Sequence, residues 1–243
     1  MSNRDLTAHL TSWIRAQVSQ AGASGVVFGV SGGVDSAVTA ALAARAFPEQ
    51  ALAVLMPCHS DPQDAIDGAL VAERFALEYT TIDLGATYDT LLETIAEASP
   101  EAEASRLVLA NLKPRLRMTT LYALANQRGF LVLGSSNRTE LAIGYFTKHG
   151  DSGVDLLPLG NLVKHEVWEL ARALDVPARI IDKPPSAGLW AGQTDEADMG
   201  LTYDELDAFL NTGDANDDVR LKVEALHAAS EHKRSLPPMA PHA

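Results

Sequence analysis

Apolar residues recur at Leu6, Leu10, Trp13, Ile14 and Val18, the three-and-four spacing of an amphipathic helix. Glycines from Gly22 to Gly25 end that pattern, and the unbroken apolar run Val26–Val30 reads as a short strand buried on both faces. The strand leads directly into Ser31-Gly32-Gly33-Val34-Asp35-Ser36 and then into an Ala-rich helix that stops at Pro48. The cadence repeats as a strand over 51–56, a helix over 63–77 and a strand over 78–84. A long helical region over 87–128 follows; Ser99-Pro100 and Pro114 are each expected to break or kink it. Next come a strand over 130–134, a polar turn, a loop over 146–155 and a helix over about 163–174. Residues 182–200 show no periodicity and read as an ordered functional loop or a mobile lid. Two short helices, near 202–210 and 215–230, precede a Pro-rich tail.

Strands alternating with helices predict βαβ units, hence an α/β fold with a doubly wound, mostly parallel sheet flanked by helices. No linker divides the 243 residues, so one domain over 1–243 is expected. In such sheets ligands bind beyond the carboxyl ends of the strands. The first strand-to-helix turn is the Gly-rich one, and attention falls there.

Charge and cysteine content narrow the function. The formal net charge is −13, which disfavours a sequence-independent nucleic-acid binder. Cys58 is the one cysteine, so neither an intramolecular disulfide nor a Cys-cluster metal site is available, and a cytoplasmic setting is expected. No signal-peptide pattern is present, and no apolar run approaches the ~18 residues of a membrane span. The charge is uneven. Residues 1–105 carry 4 Lys+Arg against 14 Asp+Glu, residues 106–183 carry 11 against 7, and residues 184–243 carry 4 against 11. The positive middle third is either a chance excess of surface cations or the place where an anion is handled.

Ser31–Ser36 joins a buried strand to a helix. Gly32 and Gly33 permit a tight turn and close approach by a ligand, and the following helix offers unpaired N–H groups and a positive dipole end. Asp35 is repulsive beside a phosphate unless a cation lies between, which suggests Mg²⁺. A plain strand–helix turn with a capping Ser or Asp is the other reading. The loop lacks the Lys of a Walker A motif and the spacing of the dinucleotide fingerprint. S-G-G-x-D-S after an apolar strand resembles the pyrophosphatase loop of the N-type ATP pyrophosphatases (PP-loop enzymes), whose members release pyrophosphate and transfer AMP.

Five further segments resemble the ammonia-dependent NAD synthetases: NLKPRLRM (111–118), LVLGSSNRTELAIGYFTKHGDSGVD (131–155), PLGNLVKHEVW (158–168), KPPSAGLWAGQTDE (183–196) and EHKR (231–234). The resemblance spans about residues 5–236. GSSNRTE stands where other members carry GTDHAAE, so part of the adenine-side contact passes from Thr to Ser135. The resemblance implies an adenine-nucleotide alpha-hydrolase-like fold and amidation of deamido-NAD by ammonia, with ATP as co-substrate and an NAD-adenylate, an acyl-adenylate on the nicotinate carboxylate, as intermediate. Homodimerisation is implied too, and the apolar face of the first helix is a candidate surface.

The same resemblance assigns roles. Ser31, Gly32, Gly33, Asp35 and Ser36 would hold pyrophosphate, with Asp35 and Glu140 also on Mg²⁺. Lys164 would bind ATP phosphates, and Ser135 and Ser186 would contact ATP, although each serine is equally a helix cap. Arg115, Lys148, Asp155, His232 and Lys233 would bind deamido-NAD; Arg117 either shares that role or is a salt-bridged helix residue. Asp151 would help deprotonate ammonium or bind a second metal. His59 and His165 have no role, and Cys58 reads as a packing residue. Together these assignments predict a small positive cleft in a negative shell.

Glutamine-dependent members carry a separate amidase domain with a nucleophilic Cys. Cys58 instead sits inside the nucleotide fold, so free ammonia, or ammonia from a separate glutaminase, is expected. Two other readings remain. A sister PP-loop ligase acting on tRNA is opposed by the charge and by the lack of paired cysteines. A non-catalytic nucleotide sensor is opposed by the joint presence of Asp35, Glu140, Lys148 and Lys164.

Overall fold

The computed structural model describes residues 2–99, 105–190 and 192–241. The chain opens with α1 (Asn3–Gln20), β1 (Gly25–Gly29), α2 (Val34–Ala46), β2 (Ala51–Leu55), α3 (Pro62–Arg74) and β3 (Glu78–Thr81). It continues with α4 (Gly85–Ala98), α5 (Arg106–Arg128), β4 (Phe130–Val132), α6 (Arg138–Ile143) and α7 (Lys164–Ala173). The last elements are α8 (Ala178–Ile181), α9 (Asp195–Met199), α10 (Tyr203–Thr212), α11 (Asp217–Ala229) and α12 (Glu231–Arg234).

Local chemistry sets many of these bounds. The Ser2 and Asp61 side chains cap α1 and α3 by accepting from Asp5 N–H and Gln63 N–H, and Pro62 opens α3 with a preset φ. Ser105 caps α5, and Gly129 ends it in the left-handed conformation. Thr202 and Glu205 form a reciprocal capping box at α10.

The four strands are parallel, in the order β3-β2-β1-β4. From β1 the chain moves outward to β3, then returns to the far side of β1. The topological switch therefore lies between β1 and β4, where crevices form at the strands' carboxyl ends. Period-two alternation divides the core. Val26, Phe28, Ala51 and Ala53 face a layer built from α1, α2 and α7. Val27, Leu52, Val54 and Val132 face α4 and α5. A third cluster joins Ile143 of α6 to α10 and α11.

The expected α/β class and parallel sheet are thus observed, with local differences. Pro114 does not end α5, which runs unbroken from Arg106 to Arg128. The lost N–H and the ring's clash with the preceding turn cost about 3 kcal/mol or more, which the packing of this long helix on β1 and β4 offsets. Pro100 lies outside the described residues. α3 ends at Arg74, because Ala76 takes φ +52 to turn the chain into β3. Four short helices, α6, α8, α9 and α12, are too brief for a 3.6-residue period to register.

Most of the apolar face of α1 is used inside the chain, with Leu6 and Trp13 left partly exposed. Leu10, Ile14 and Val18 are buried within this chain, against α2 and α7. Ile14 is fully buried, so Ile14→Ala should cost about 2–5 kcal/mol from lost burial plus an unfilled cavity. Urea unfolding should show a lower midpoint with an unchanged slope.

Candidate active site

At the end of β1 the chain needs one residue in the left-handed region, and Gly32 supplies it at φ +77. A Cβ there would lie 2.7 Å from both the Asp64 carbonyl oxygen and Asp67 Cβ on α3. Gly33 has extended backbone and serves as the N-cap of α2, with no side chain capping the helix. The first N–H groups of α2 therefore point unblocked toward the space above the sheet. Ser36 holds the turn together: its hydroxyl donates to the Gly33 carbonyl (2.9 Å), lies 3.1 Å from Ser31 Oγ and accepts from Ser31 N–H.

Three charged groups converge beside this loop. Lys164, at the start of α7, has its side chain 1% exposed; its ammonium is 2.5 Å from Asp35 Oδ2 and 3.8 Å from Glu140 Oε1. It also lies 4.9 Å from the centroid of the Tyr203 ring. Burial works to lower the lysine's pKa, but Asp35 and Glu140 outweigh it and hold the group above its ordinary value. For Glu140, burial and then the neighbouring Asp35 push the carboxyl up to about 8, against the pull of Lys164. Asn137 ties the two carboxylates into one unit. Its amide donates to Asp35 Oδ1 (2.9 Å) while its oxygen accepts from Glu140 N–H (3.0 Å), and Glu140 reaches back to Asn137 N–H.

This cluster opens into a cleft of about 1110 Å³ over the carboxyl ends of β1, β2 and β4. Single-ligand pockets run to about 1,000 Å³, so there is space for two substrates. Ser31, Gly33, Asp35, Ser36, Ser135, Asp151, Lys164, Ser186 and Lys233 all line it. Gly32 and Glu140 do not: Gly32 shapes the turn from behind, and Glu140 sits behind Lys164 with its side chain 16% exposed.

Across the cleft, Asp151 accepts from Thr147 N–H (2.8 Å) deep among protein atoms yet open to cleft water. Desolvation of the carboxylate by the surrounding protein raises its pKa despite the Thr147 N–H and the charges of Lys233 and Arg117. The segment after α8 lies along one wall. Lys183 bridges Asp64 (2.8 Å) and Asp67 (2.9 Å), and Lys113 donates to the Leu189 carbonyl (2.9 Å). These contacts tie Lys183 and Leu189 to α3 and α5.

The expected positive cleft is not what the structure holds. Its lining carries six carboxylates (Asp35, Asp61, Asp64, Asp151, Asp195, Asp198) against four cations (Arg117, Lys164, Lys183, Lys233). Arg115 and Lys148 point elsewhere: Arg115 Nε donates to the Lys148 carbonyl, and Lys148 Nζ to the His232 carbonyl. Asp155 is engaged by Tyr122 OH (3.0 Å) and Val132 N–H (2.8 Å). These three side chains and His232 lie outside the cleft lining, on segments that border it.

An acidic lining requires cations before a polyphosphate can enter, and Asp35 and Glu140 provide hard oxygen donors at the phosphate loop, a set that fits Mg²⁺. Among the described residues no group of three or more His, Cys, Asp or Glu could hold a metal. The fit is to an ion that completes its shell with phosphate oxygens and water.

Several participants escape sequence reasoning. Asn137 is legible in hindsight, as Asn followed three residues later by Glu is a capping signature. Asp195, which accepts from Tyr203 OH (2.8 Å) and Tyr145 OH (3.1 Å), and Lys113, a buried lysine of α5, lie inside the quoted segments 183–196 and 111–118, where neither has a role of its own.

Comparison with known proteins places this geometry in context. Residues 6–237 match the family model described as NAD synthase. The ammonia-dependent NAD⁺ synthetase of Carboxydothermus hydrogenoformans is 50% identical over 231 residues, covering 95% of each chain. Among solved structures, NMN synthetase from Francisella tularensis superposes with a TM-score of 0.94 at 37% identity, covering 100% of both chains. The ammonia-dependent NAD synthetase from Campylobacter jejuni gives a TM-score of 0.82 at 26% identity, covering 99% of this chain and 100% of its own.

The raised pKa of Glu140 has a thermodynamic consequence. Above about pH 4.5 an unfolded glutamate loses its proton, whereas the folded carboxyl keeps it until about pH 8. Stability from this site therefore falls as pH rises across that window and levels off above it. Glu140→Gln removes the dependence. Without divalent ions or nucleotide, the variant should melt progressively higher than the parent as pH rises from 5 to 8.

Proposed function

The chain belongs to the NAD synthase family, and on that premise we propose how its own residues carry out the family's reaction. It is an ammonia-dependent ligase that uses ATP to amidate deamido-NAD, giving NAD, AMP and pyrophosphate. The observation that supports this best is the uncapped N-terminus of α2 beside the buried Lys164–Asp35–Glu140 cluster, at the carboxyl ends of the strands. This is an electrostatic cradle for a leaving pyrophosphate.

A nicotinate carboxylate oxygen attacks the α-phosphorus, the bond to the bridging oxygen breaks, and pyrophosphate leaves with the electron pair. Ammonia then attacks the acyl carbon of the adenylate, gives up a proton, and AMP departs. No enzyme nucleophile is required, so the protein works by positioning and charge compensation. Ser31, Gly33, Ser36 and the α2 N–H groups hold pyrophosphate oxygens. Lys164 neutralises charge on the transferring phosphoryl, and Ser135 and Ser186 orient ATP. Asp35 and Glu140 would hold Mg²⁺, which when bound supplies charge neutralisation to the polyphosphate. Asp151, with its raised pKa, takes the proton from ammonium.

Arg115, Lys148, Asp155, His232 and Lys233 bind the acceptor dinucleotide. Because the first two point away from the cleft, this assignment requires the acceptor to extend past its border. We further take residues 1–243 as one catalytic domain that works as a homodimer in the cytoplasm. Among the described residues, no helix is long and apolar enough to cross a membrane.

A second acceptor merits direct comparison, since the superposition with NMN synthetase covers both chains completely. That acceptor is deamido-NMN, the mononucleotide counterpart of deamido-NAD. Purified protein with ATP, Mg²⁺ and ammonium should form NAD, AMP and pyrophosphate from deamido-NAD. Turnover with deamido-NMN alone would transfer the assignment to the mononucleotide. ATP binding without turnover of either would indicate a sensor. Asp151→Asn should depress amidation most where ammonium dominates, below about pH 9, and a normal rate across pH would remove Asp151 from the mechanism. A particle of about 26 kDa by light scattering would refute the dimer, this being the mass of one chain.

A further inference from the structure

The N-terminus of α7 differs from that of α2 in one respect that bears on Lys164. Its N-cap, Val163, offers no side-chain acceptor, yet the N–H groups of Lys164 and His165, the first two of the helix, are both engaged by side chains from elsewhere in the chain. Lys164 N–H donates to Thr139 Oγ1 (3.1 Å), and His165 N–H donates to Asp207 Oδ2 (2.8 Å). Thr139 in turn donates its hydroxyl to Asp207 Oδ1 (2.6 Å), and His165 Nδ1 lies 3.0 Å from Oδ2. A single carboxylate on α10 therefore reaches the backbone of α7 twice, once directly and once through Thr139.

Thr139 is 0% and Asp207 4% exposed, so neither group has water as a substitute partner. The same face of α10, one turn earlier, carries Tyr203. Its ring lies beneath the Lys164 ammonium, and its hydroxyl donates to Asp195. One face of α10 thus sets the backbone end of Lys164 and flanks its charged end.

Thr139 also directly precedes Glu140. Asp207 consequently joins the start of α6, which bears Glu140, to the start of α7, which bears Lys164. A lysine on a four-carbon stem can reach phosphate from many backbone positions. Holding it between Asp35 and Glu140 with 1% exposure requires that the backbone be fixed.

We propose that Asp207, with Thr139 as its bridge, is a positioning residue that presents Lys164 to the ATP phosphates. This rests on the assignment of Lys164 as a phosphate ligand. The dissociation constant for Mg-ATP, measured by calorimetry without acceptor, tests it in four proteins: the parent, Asp207→Asn, Lys164→Met and the double variant. Asp207→Asn should weaken ATP by about tenfold when Lys164 is present and by less than about twofold in the Lys164→Met background.

Equal weakening in both backgrounds would mean that Asp207 acts on the fold at large, and no weakening in the parent would mean it does not act on the site; either overturns the proposal. Unchanged ATP affinity in Lys164→Met alone would instead defeat the assignment of Lys164, and the proposal with it. Should Asp207→Asn fail to fold, the isosteric Thr139→Val should show the same background-dependent loss, while Thr139→Ser, which keeps the hydroxyl, should restore affinity to within about twofold of the parent. Parent-like affinity in Thr139→Val would overturn the proposal.

Discussion

A buried ammonium, that of Lys164, joins three segments far apart in the chain: the turn after β1 through Asp35, the start of α6 through Glu140, and its own helix α7. An unpaired charge at 1% exposure would be costly, and breaking such a pair from one side costs about 3–5 kcal/mol. The three segments must therefore converge if the protein is to fold with Lys164 ionised. Convergence places the uncapped helix end of α2, two carboxylates and a cation around one point. The requirement of the fold and the requirement of phosphate chemistry coincide there.

Much of the remaining architecture supports that point. The order β3-β2-β1-β4 opens the crevice between β1 and β4, so the turn after β1 and the segment after β4 face each other across it. Asn137 exploits this proximity by bonding Asp35 while capping α6. From outside the crevice, Asp207 and Tyr203 brace Lys164 by way of α10. The acidic lining of the cleft fits the same logic. If a divalent ion accompanies ATP, as proposed, these carboxylates would attract it, with the buried lysine supplying fixed positive charge.

The cleft's electrostatics also show why bulk charge by segment is a poor guide to a site. The middle third of the chain is the positive one, and Arg117, Lys164 and Lys183 do come from it. Arg115 and Lys148, from the same third, turn to backbone carbonyls outside the cleft, while Asp61 and Asp64 enter it from the acidic first third. Which charges share a space depends on side-chain direction at the ends of elements, and sequence distance carries no information about that.

Local physics made a large part of the protein legible. Apolar runs bounded by Gly, Pro and polar turns identified β1 to β4, and helical patterning identified α1 to α3 and α7, most of which bury a face in the core. Ser31–Ser36 stood out because only glycine takes φ +77 against α3, and because a carboxylate at an open helix end makes chemical sense only with a cation. The short helices, the unbroken passage of α5 through Pro114, the acidic cleft and the bracing of Lys164 from α10 were settled by tertiary packing. Each is a contact between residues dozens of positions apart, such as Thr139 with Asp207, whose energy exists only after the sheet has brought them together. Residue type determined which groups could do the chemistry, and folding determined which of them meet.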